Sequence, residues 1–150
     1  MNKFLVVRIA EGLGNQFFMY ANSYSLSKFK NYKLYIDNES SYFKKKDFRD
    51  FQLNNFKISA ETCSNNLKFN TLLKNLYRKY LIQLDKIKRN KIFLIEKRDK
   101  NKNTEYYNYF ENFNFDKYFI LEGHFESEKY FINYKNDLLK EFTFKNDNIL

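Results

Sequence analysis

The sequence predicts an α/β fold on a parallel sheet, and three observations predict it. A continuous apolar run, Phe4-Leu-Val-Val-Arg-Ile9, passes through a glycine turn into an amphipathic stretch and then into a second apolar run, Lys33-Leu-Tyr-Ile-Asp37. That is the order of one right-handed β-α-β unit. Two further strand-like runs, Lys91-Ile-Phe-Leu-Ile-Glu96 and Tyr118-Phe-Ile-Leu-Glu122, alternate with helical patterns, as a parallel sheet requires. With 150 residues, no proline, no linker-like stretch and no internal repeat, residues 1–150 form a single α/β domain with room for a sizeable core.

Each element has its own reason. The first run is apolar on both faces except at Arg8, as a strand covered on both sides should be. Gly12 and Gly14 permit a sharp turn and a close approach to the backbone N–H groups of a helix start. Asn15 is the expected cap of that helix, and Phe18, Ala21, Ser25 and Phe29 recur at helical spacing. From Asn38 to Asn66 polar residues break the pattern into loops, with a short strand or turn around Phe51 to Ile58. The lysine run Lys44-Lys45-Lys46 reads as a solvated loop, and Asn38-Glu-Ser40 as an accidental match to a glycosylation acceptor.

The longest helical candidate runs from Leu67 to Arg89. Phe69, Leu72, Leu73, Leu76, Tyr80, Leu84 and Ile87 form its apolar stripe, which reads first as a core-packing face, with Lys74, Arg78, Lys79, Lys86 and Lys88 on a solvated basic side. A second reading lays this basic helix on an anionic membrane as a peripheral contact. After the strand at Lys91–Glu96, Lys97 to Glu105 is a charged loop. Tyr106 to Phe115 then interleaves aromatics with asparagines, suited either to stacking on sugars or bases or to core packing. Gly123 permits a turn, and Ser127 is the expected cap of a helix reaching Glu141.

Composition bounds the function loosely. A net charge of +9 and a pI near 9.4 draw the chain to polyanions without choosing among nucleic acid, anionic lipid and a nucleotide-sugar diphosphate. Part of the Lys, Asn, Phe, Tyr and Ile enrichment is what an AT-rich coding sequence produces. The single cysteine, Cys63, excludes an internal disulfide framework and fits a reducing compartment. The first apolar run is too brief for a signal peptide, and no run approaches the roughly 18 residues of a membrane span. The expectation is a cytoplasmic chain, at most peripheral to the inner face of a membrane.

Two nucleotide motifs fail at the glycine turn. A dinucleotide fingerprint needs a small residue where Phe17 stands, although Asp37 occupies the place of a ribose-binding acid. A P-loop needs Gly-Lys-Ser/Thr where Gly14-Asn15-Gln16 stand. The block Glu11-Gly-Leu-Gly-Asn-Gln-Phe-Phe-Met-Tyr-Ala21 instead resembles the opening of the glycosyltransferase family 11 fucosyltransferases, a strand followed by Gly-Gly-Leu-Gly-Asn-Gln-Met/Leu-Phe, an aromatic and Ala. It departs mainly at Glu11, where the family has glycine. A second block, Leu121-Glu-Gly-His-Phe-Glu-Ser-Glu-Lys-Tyr-Phe131, is similar to the family's Gly-Tyr-Trp/Phe-Gln-Ser-Glu-Lys-Tyr-Phe, and Glu141-Phe-Thr-Phe-Lys145 follows it. The family's His-x-Arg-Arg-Gly-Asp block is not in these 150 residues.

The resemblance implies the N-terminal, Rossmann-like half of a two-domain GT-B enzyme that moves fucose from GDP-fucose to the 2-hydroxyl of a galactose-containing glycan with inversion. It implies no cofactor beyond the GDP-fucose donor, no metal, and no nucleic-acid partner. Carried over by position, Gly12, Leu13, Gly14, Asn15 and Gln16 face the nucleotide-sugar cleft. Ser127, Glu128, Lys129 and Tyr130 match the second block, where capping and core packing also explain them. His124 and Glu126 replace other family residues and inherit no role, and the general base is not assigned. With half of the expected cleft missing, the isolated chain is expected not to transfer fucose. The rival expectation is a basic, aromatic-rich module for nucleic acid or an anionic membrane surface.

Overall fold

The computed structural model describes residues 3–44, 49–88, 91–96 and 115–145. Along the chain these form β1 (Phe4–Arg8), α1 (Leu13–Lys30), β2 (Lys33–Asp37), β3 (Glu61–Thr62), α2 (Leu72–Asp85), β4 (Lys91–Ile95), β5 (Phe115–Glu122) and α3 (Lys135–Glu141), with short 3-10 turns at Leu53–Asn55, Glu128–Tyr130 and Ile132–Tyr134. The five strands make one sheet in the order β3-β2-β1-β5-β4, and every pairing is parallel. This is a Rossmann-like α/β sheet with β1 at its centre. Val6 pairs with Tyr35 on one side and with Ile120 on the other.

Side chains alternating along the strands build a core on each face of the sheet. Leu5, Val7, Leu34, Ile36, Phe119 and Leu121 point to one face, where α1 and α3 cover them. Val6, Ile120, Phe93, Cys63 and Phe69 form a smaller cluster on the other, covered by Leu81 and Ile82 of α2. Burial pushes the Cys63 thiol up to about 12, with the Asp37 charge adding to the effect.

Several elements differ from the sequence expectation. Gly12, not Asn15, caps α1; Asn15 lies within the first turn, and no side chain caps this helix. Of the expected stripe, Ala21 and Ser25 are buried and Phe18 is half-buried, but Phe29 is exposed, and burial is not confined to that face: Gln16 and every residue from Met19 to Ser27 are buried. The reason is enclosure, because α1 is held between the sheet and the 3-10 segment Glu128–Tyr130 rather than lying on one surface. Its serines tolerate this by bonding within the helix, Ser23 Oγ to the Tyr20 carbonyl and Ser27 Oγ to the Tyr24 carbonyl, each at 2.8 Å.

The helix expected from Ser127 to Glu141 is broken into two 3-10 turns and α3, although Ser127 does cap the first, accepting from the Lys129 N–H. Glu141, at the end of α3, is buried and accepts from Tyr20 Oη at 2.7 Å and from both the backbone and hydroxyl of Ser59 at 2.6 Å. Burial and this carboxylate together raise the Tyr20 phenol well above its ordinary range. The edge strand β3 was not foreseen, and the region around Phe51 to Ile58 holds a 3-10 turn and a single bridge, Phe56 to Phe144. The stretch from Tyr106 to Asn114, the loop from Lys97 to Glu105 and Lys45-Lys46 lie outside the described residues.

The largest departure is α2. It is shorter than the expected 67–89, starting at the Thr71 cap, and it is turned over. Leu72, Leu73, Leu76, Tyr77, Tyr80 and, beyond its end, Ile87 are exposed, while Arg78, Leu81, Ile82 and Asp85 face the sheet. Polar contacts hold it in this orientation. Arg78 forks onto Glu122 at the end of β5, and the Asp85 carboxylate accepts from the Ile92 and Phe93 N–H groups of β4 at 2.9 and 3.0 Å.

Candidate functional site

In an open parallel sheet, ligands bind outside the carboxyl ends of the strands where the connections diverge. Here that point lies beyond β1 and β5, since the chain leaves β1 toward β2 and later returns to the opposite edge at β4. Two segments meet there: the turn Glu11–Gln16 after β1 and the loop 123–126 after β5. His124 Nε2 lies 4.0 Å from Glu11 Oε1, which joins the two.

The turn owes its shape to Glu11 more than to its glycines. Glu11 has φ 64°, in the left-handed region that ordinarily falls to glycine, and it stands where the resembled family carries one. Gly12 is extended and Gly14 is helical, so neither needs a glycine-only conformation. Nor does crowding require glycine there, since a Cβ at either would meet nothing within 4 Å. The N-terminus of α1 therefore opens to solvent with no capping side chain and no acid in its first turn. Asn15 is half-exposed beside it, and Leu13 is half-buried against the core.

Gln16 does something different from its neighbours. Fully buried, it has Nε2 2.9 Å from the Glu11 carbonyl, 2.8 Å from the Asp50 carbonyl and 3.0 Å from Tyr42 Oη, while its Oε1 accepts from the Gln52 N–H at 2.9 Å. Tyr42 Oη also donates to the Glu11 carbonyl at 3.0 Å. This amide ties the glycine turn to the loop around Asp50. Burial, then the charges of Glu11 and Asp50, push the Tyr42 phenol well above its usual range.

The opposing loop is equally constrained. Gly123 has φ 152° and Phe125 φ 53°. A Cβ on Gly123 would lie 2.9 Å from the Phe125 ring and against the Glu96 side chain. Glu96 itself accepts from the N–H groups of His124 and Phe125 at 2.7 and 3.2 Å, pulling the loop back over β4. Strained backbone held by surrounding contacts is a frequent mark of a functional loop. It places His124, one-fifth exposed, between two carboxylates, with Nδ1 3.4 Å from Glu126 Oε1. Glu11 is also paired with Arg49.

Beneath the crevice lies a buried charge cluster. Glu122 takes Arg78 in a forked pair and has Arg8 Nη1 at 3.6 Å, and Arg8 Nη2 donates to the Ser40 carbonyl at 3.0 Å. Desolvation, aided by the neighbouring Arg78, lowers the Arg8 pKa; Glu122 and Asp37 oppose this. Asp37, in the place of a ribose-binding acid, spends one oxygen on the N–H groups of Glu39 and Ser40 in its own turn.

Of the sequence-derived residues, Gly14 is exposed and Gly12 and Asn15 are half-buried at the start of α1, whereas Gln16 lies inside the protein. Ser127 caps, Tyr130 is buried edge-to-face on Phe125, and Glu128 and Lys129 are exposed. Sequence reasoning gave His124 no role and did not single out Glu96, Arg8 or Glu122, which the structure gathers around the same strand ends. Each stands near the end of a predicted strand, and Glu122 and His124 also fall within the second resemblance block. Among the described residues no group of three or more His, Cys, Asp or Glu is arranged to hold a metal ion, and no helix is long and apolar enough to cross a membrane. Comparison with protein-family models, with curated proteins and with solved structures finds no match to this chain.

Proposed function

We propose that this chain supplies the N-terminal half of a GT-B α-1,2-fucosyltransferase of the family 11 type, and that its crevice binds the galactose-containing acceptor. The observation that carries the reading is convergence. The two blocks on which the resemblance rests, more than a hundred residues apart in sequence, meet at the switch point of the sheet, where Glu11 and His124 approach to 4.0 Å. A charge-driven binder has no use for that arrangement.

The electrostatics favour the acceptor over the donor at this end. Glu11 and Glu126 flank His124, Arg49 takes up the first of these charges, and Glu122 takes up Arg8 and Arg78, so no cation is left over here for a diphosphate among the described residues around His124. Carboxylates repel a diphosphate but accept hydrogen bonds from sugar hydroxyls. In an inverting transfer the acceptor oxygen attacks the anomeric carbon as the bond to the GDP oxygen breaks, and the hydroxyl proton must go to a base. His124, held between Glu11 and Glu126, is the group we assign to receive it. Balancing charge on the departing GDP falls to groups outside this crevice, in the family to an arginine of the block that these residues lack.

The test is a titration of the ¹⁵N-labelled chain followed by NMR, with lactose, GDP-fucose and single-stranded DNA added in separate experiments. Lactose should move the Gly12, Gly14, Gly123 and His124 amides at millimolar concentration, and His124→Gln should weaken that response. Oligonucleotide shifts at these amides, with none from lactose, would overturn the proposal in favour of a nucleic-acid module.

A further inference from the structure

We infer that α2 is a membrane-docking helix that lays its outward apolar face on an anionic lipid surface. Residues of an α-helix three and four apart share a face, at about 3.6 residues per turn. On that spacing Leu72, Leu73, Leu76, Tyr80 and Leu84 fall on one side of α2, with Ile87 continuing the line past its end. That side points away from the sheet: Leu73 is 78% exposed, Leu76 53%, Tyr80 58% and Ile87 84%. A surface helix ordinarily hides such a stripe and shows its charges. This one does the reverse, spending Arg78 and Asp85 on contacts with Glu122 and β4.

Charge decides what covers the face. Lys79 and Lys86 stand on one border of the stripe and Lys88 near the other, all exposed. Asp85, the only acid between residues 71 and 88, is buried against β4. The surface is thus an apolar strip about 21 Å long for its 14 residues, edged by cations on flexible stems and free of outward carboxylates. Lysines at the border reach lipid phosphates while leucines and tyrosines enter the acyl boundary, the division of labour of an interfacial helix. A second copy fits less well, because apposed stripes would set basic border against basic border with no acid between them.

The proposal is tested by co-sedimentation of the full chain with phosphatidylcholine vesicles, with and without about one-third phosphatidylserine. Binding is expected only to the anionic vesicles. It should fall about fivefold for each of Lys79→Gln and Lys86→Gln, and at least about tenfold for Leu76→Glu and for Tyr80→Ser. Lys57→Gln and Lys135→Gln, equal charge changes at exposed sites on other elements, should leave it within about twofold. All four substitutions, three in α2 and Lys86→Gln at its C-terminal cap, are at exposed residues, and far-UV circular dichroism checks that each variant is folded. Absence of binding to anionic vesicles overturns the inference, as does binding indifferent to Leu76→Glu, which would be generic polycation attraction. A dimer in sedimentation equilibrium that Leu76→Glu dissociates would assign the face to a second copy and overturn it too.

Discussion

Replacing Gln16 with alanine should destabilise the protein far more than any other change in the Gly12–Gln16 segment. The side chain is fully buried, and its amide meets four groups from three parts of the chain. Truncation leaves the Gln52 N–H and the Asp50 carbonyl without this partner, whereas the Glu11 carbonyl keeps the Tyr42 hydroxyl. Both groups belong to exposed residues where water can replace the amide, so each lost bond costs about 0.5–1.5 kcal/mol, and the space vacated by the buried side chain adds about 1–2. The expected loss is about 3.5 kcal/mol, a large share of the roughly 5–15 kcal/mol that holds a domain of this size together. In urea, with a slope of roughly 2 kcal/mol per molar, the midpoint should fall by about 2 M. Gln16→Glu should be no better, since it aims a carboxylate oxygen at two carbonyls, whereas Asn15→Ala next door should cost less than about 0.5 kcal/mol because Asn15 caps nothing. A Gln16→Ala loss below about 1 kcal/mol would refute the clamp, and equal losses at Asn15 and Gln16 would refute the distinction between them.

Three other outcomes follow from the same contacts. Because Glu11 holds a left-handed backbone, Glu11→Gly should be more stable than Glu11→Ala by about 1 kcal/mol in thermal unfolding, both variants having lost the Arg49 pair. Glu122→Gln leaves Arg8 and Arg78 facing each other without their carboxylate and should cost about 3–5 kcal/mol in a denaturant titration, more than Glu122 and Arg78 changed together to a neutral pair. Alkali should unfold the protein early. Below pH 9 the Cys63 thiol keeps its proton in both states; above its ordinary value of 9.0 the unfolded chain releases it while the folded chain retains it to about 12, so stability falls by up to about 1.4 kcal/mol per pH unit across that window. Tyr20 and Tyr42, both raised above their ordinary 10.0, steepen the fall beyond pH 10, and Cys63→Ala should flatten the urea midpoint between pH 9 and 10.

The sheet was legible because its strands are buried on both faces and so appear as unbroken apolar runs: Phe4–Arg8, Lys33–Asp37 and Lys91–Ile95 fall where the runs fall. β3 was not, since two exposed residues joined to an edge carry no periodicity. Helices were read less well, and α2 shows one reason. Apolar spacing says that a face is shared, not which way it points, and in α2 the direction is set by Arg78 and Asp85 finding Glu122 and β4. In the crevice the glycine turn was visible as a motif, yet its left-handed residue, Glu11, was identifiable only as a departure from one. His124 and Glu96 come together with Glu11 through contacts across the sheet, which no local pattern encodes.

The pairing of β1 with β5 also sets a schedule. Val7 has its partner in Leu121, so the central strand of the sheet lacks one neighbour for most of the time the ribosome spends on these residues. At 5–20 residues per second that interval is on the order of ten seconds. Throughout it, Leu5, Val6 and Val7 present an unpaired apolar edge, and Tyr20 waits for a Glu141 not yet made. The yield of folded protein should therefore respond to how fast residues 38–114 are translated.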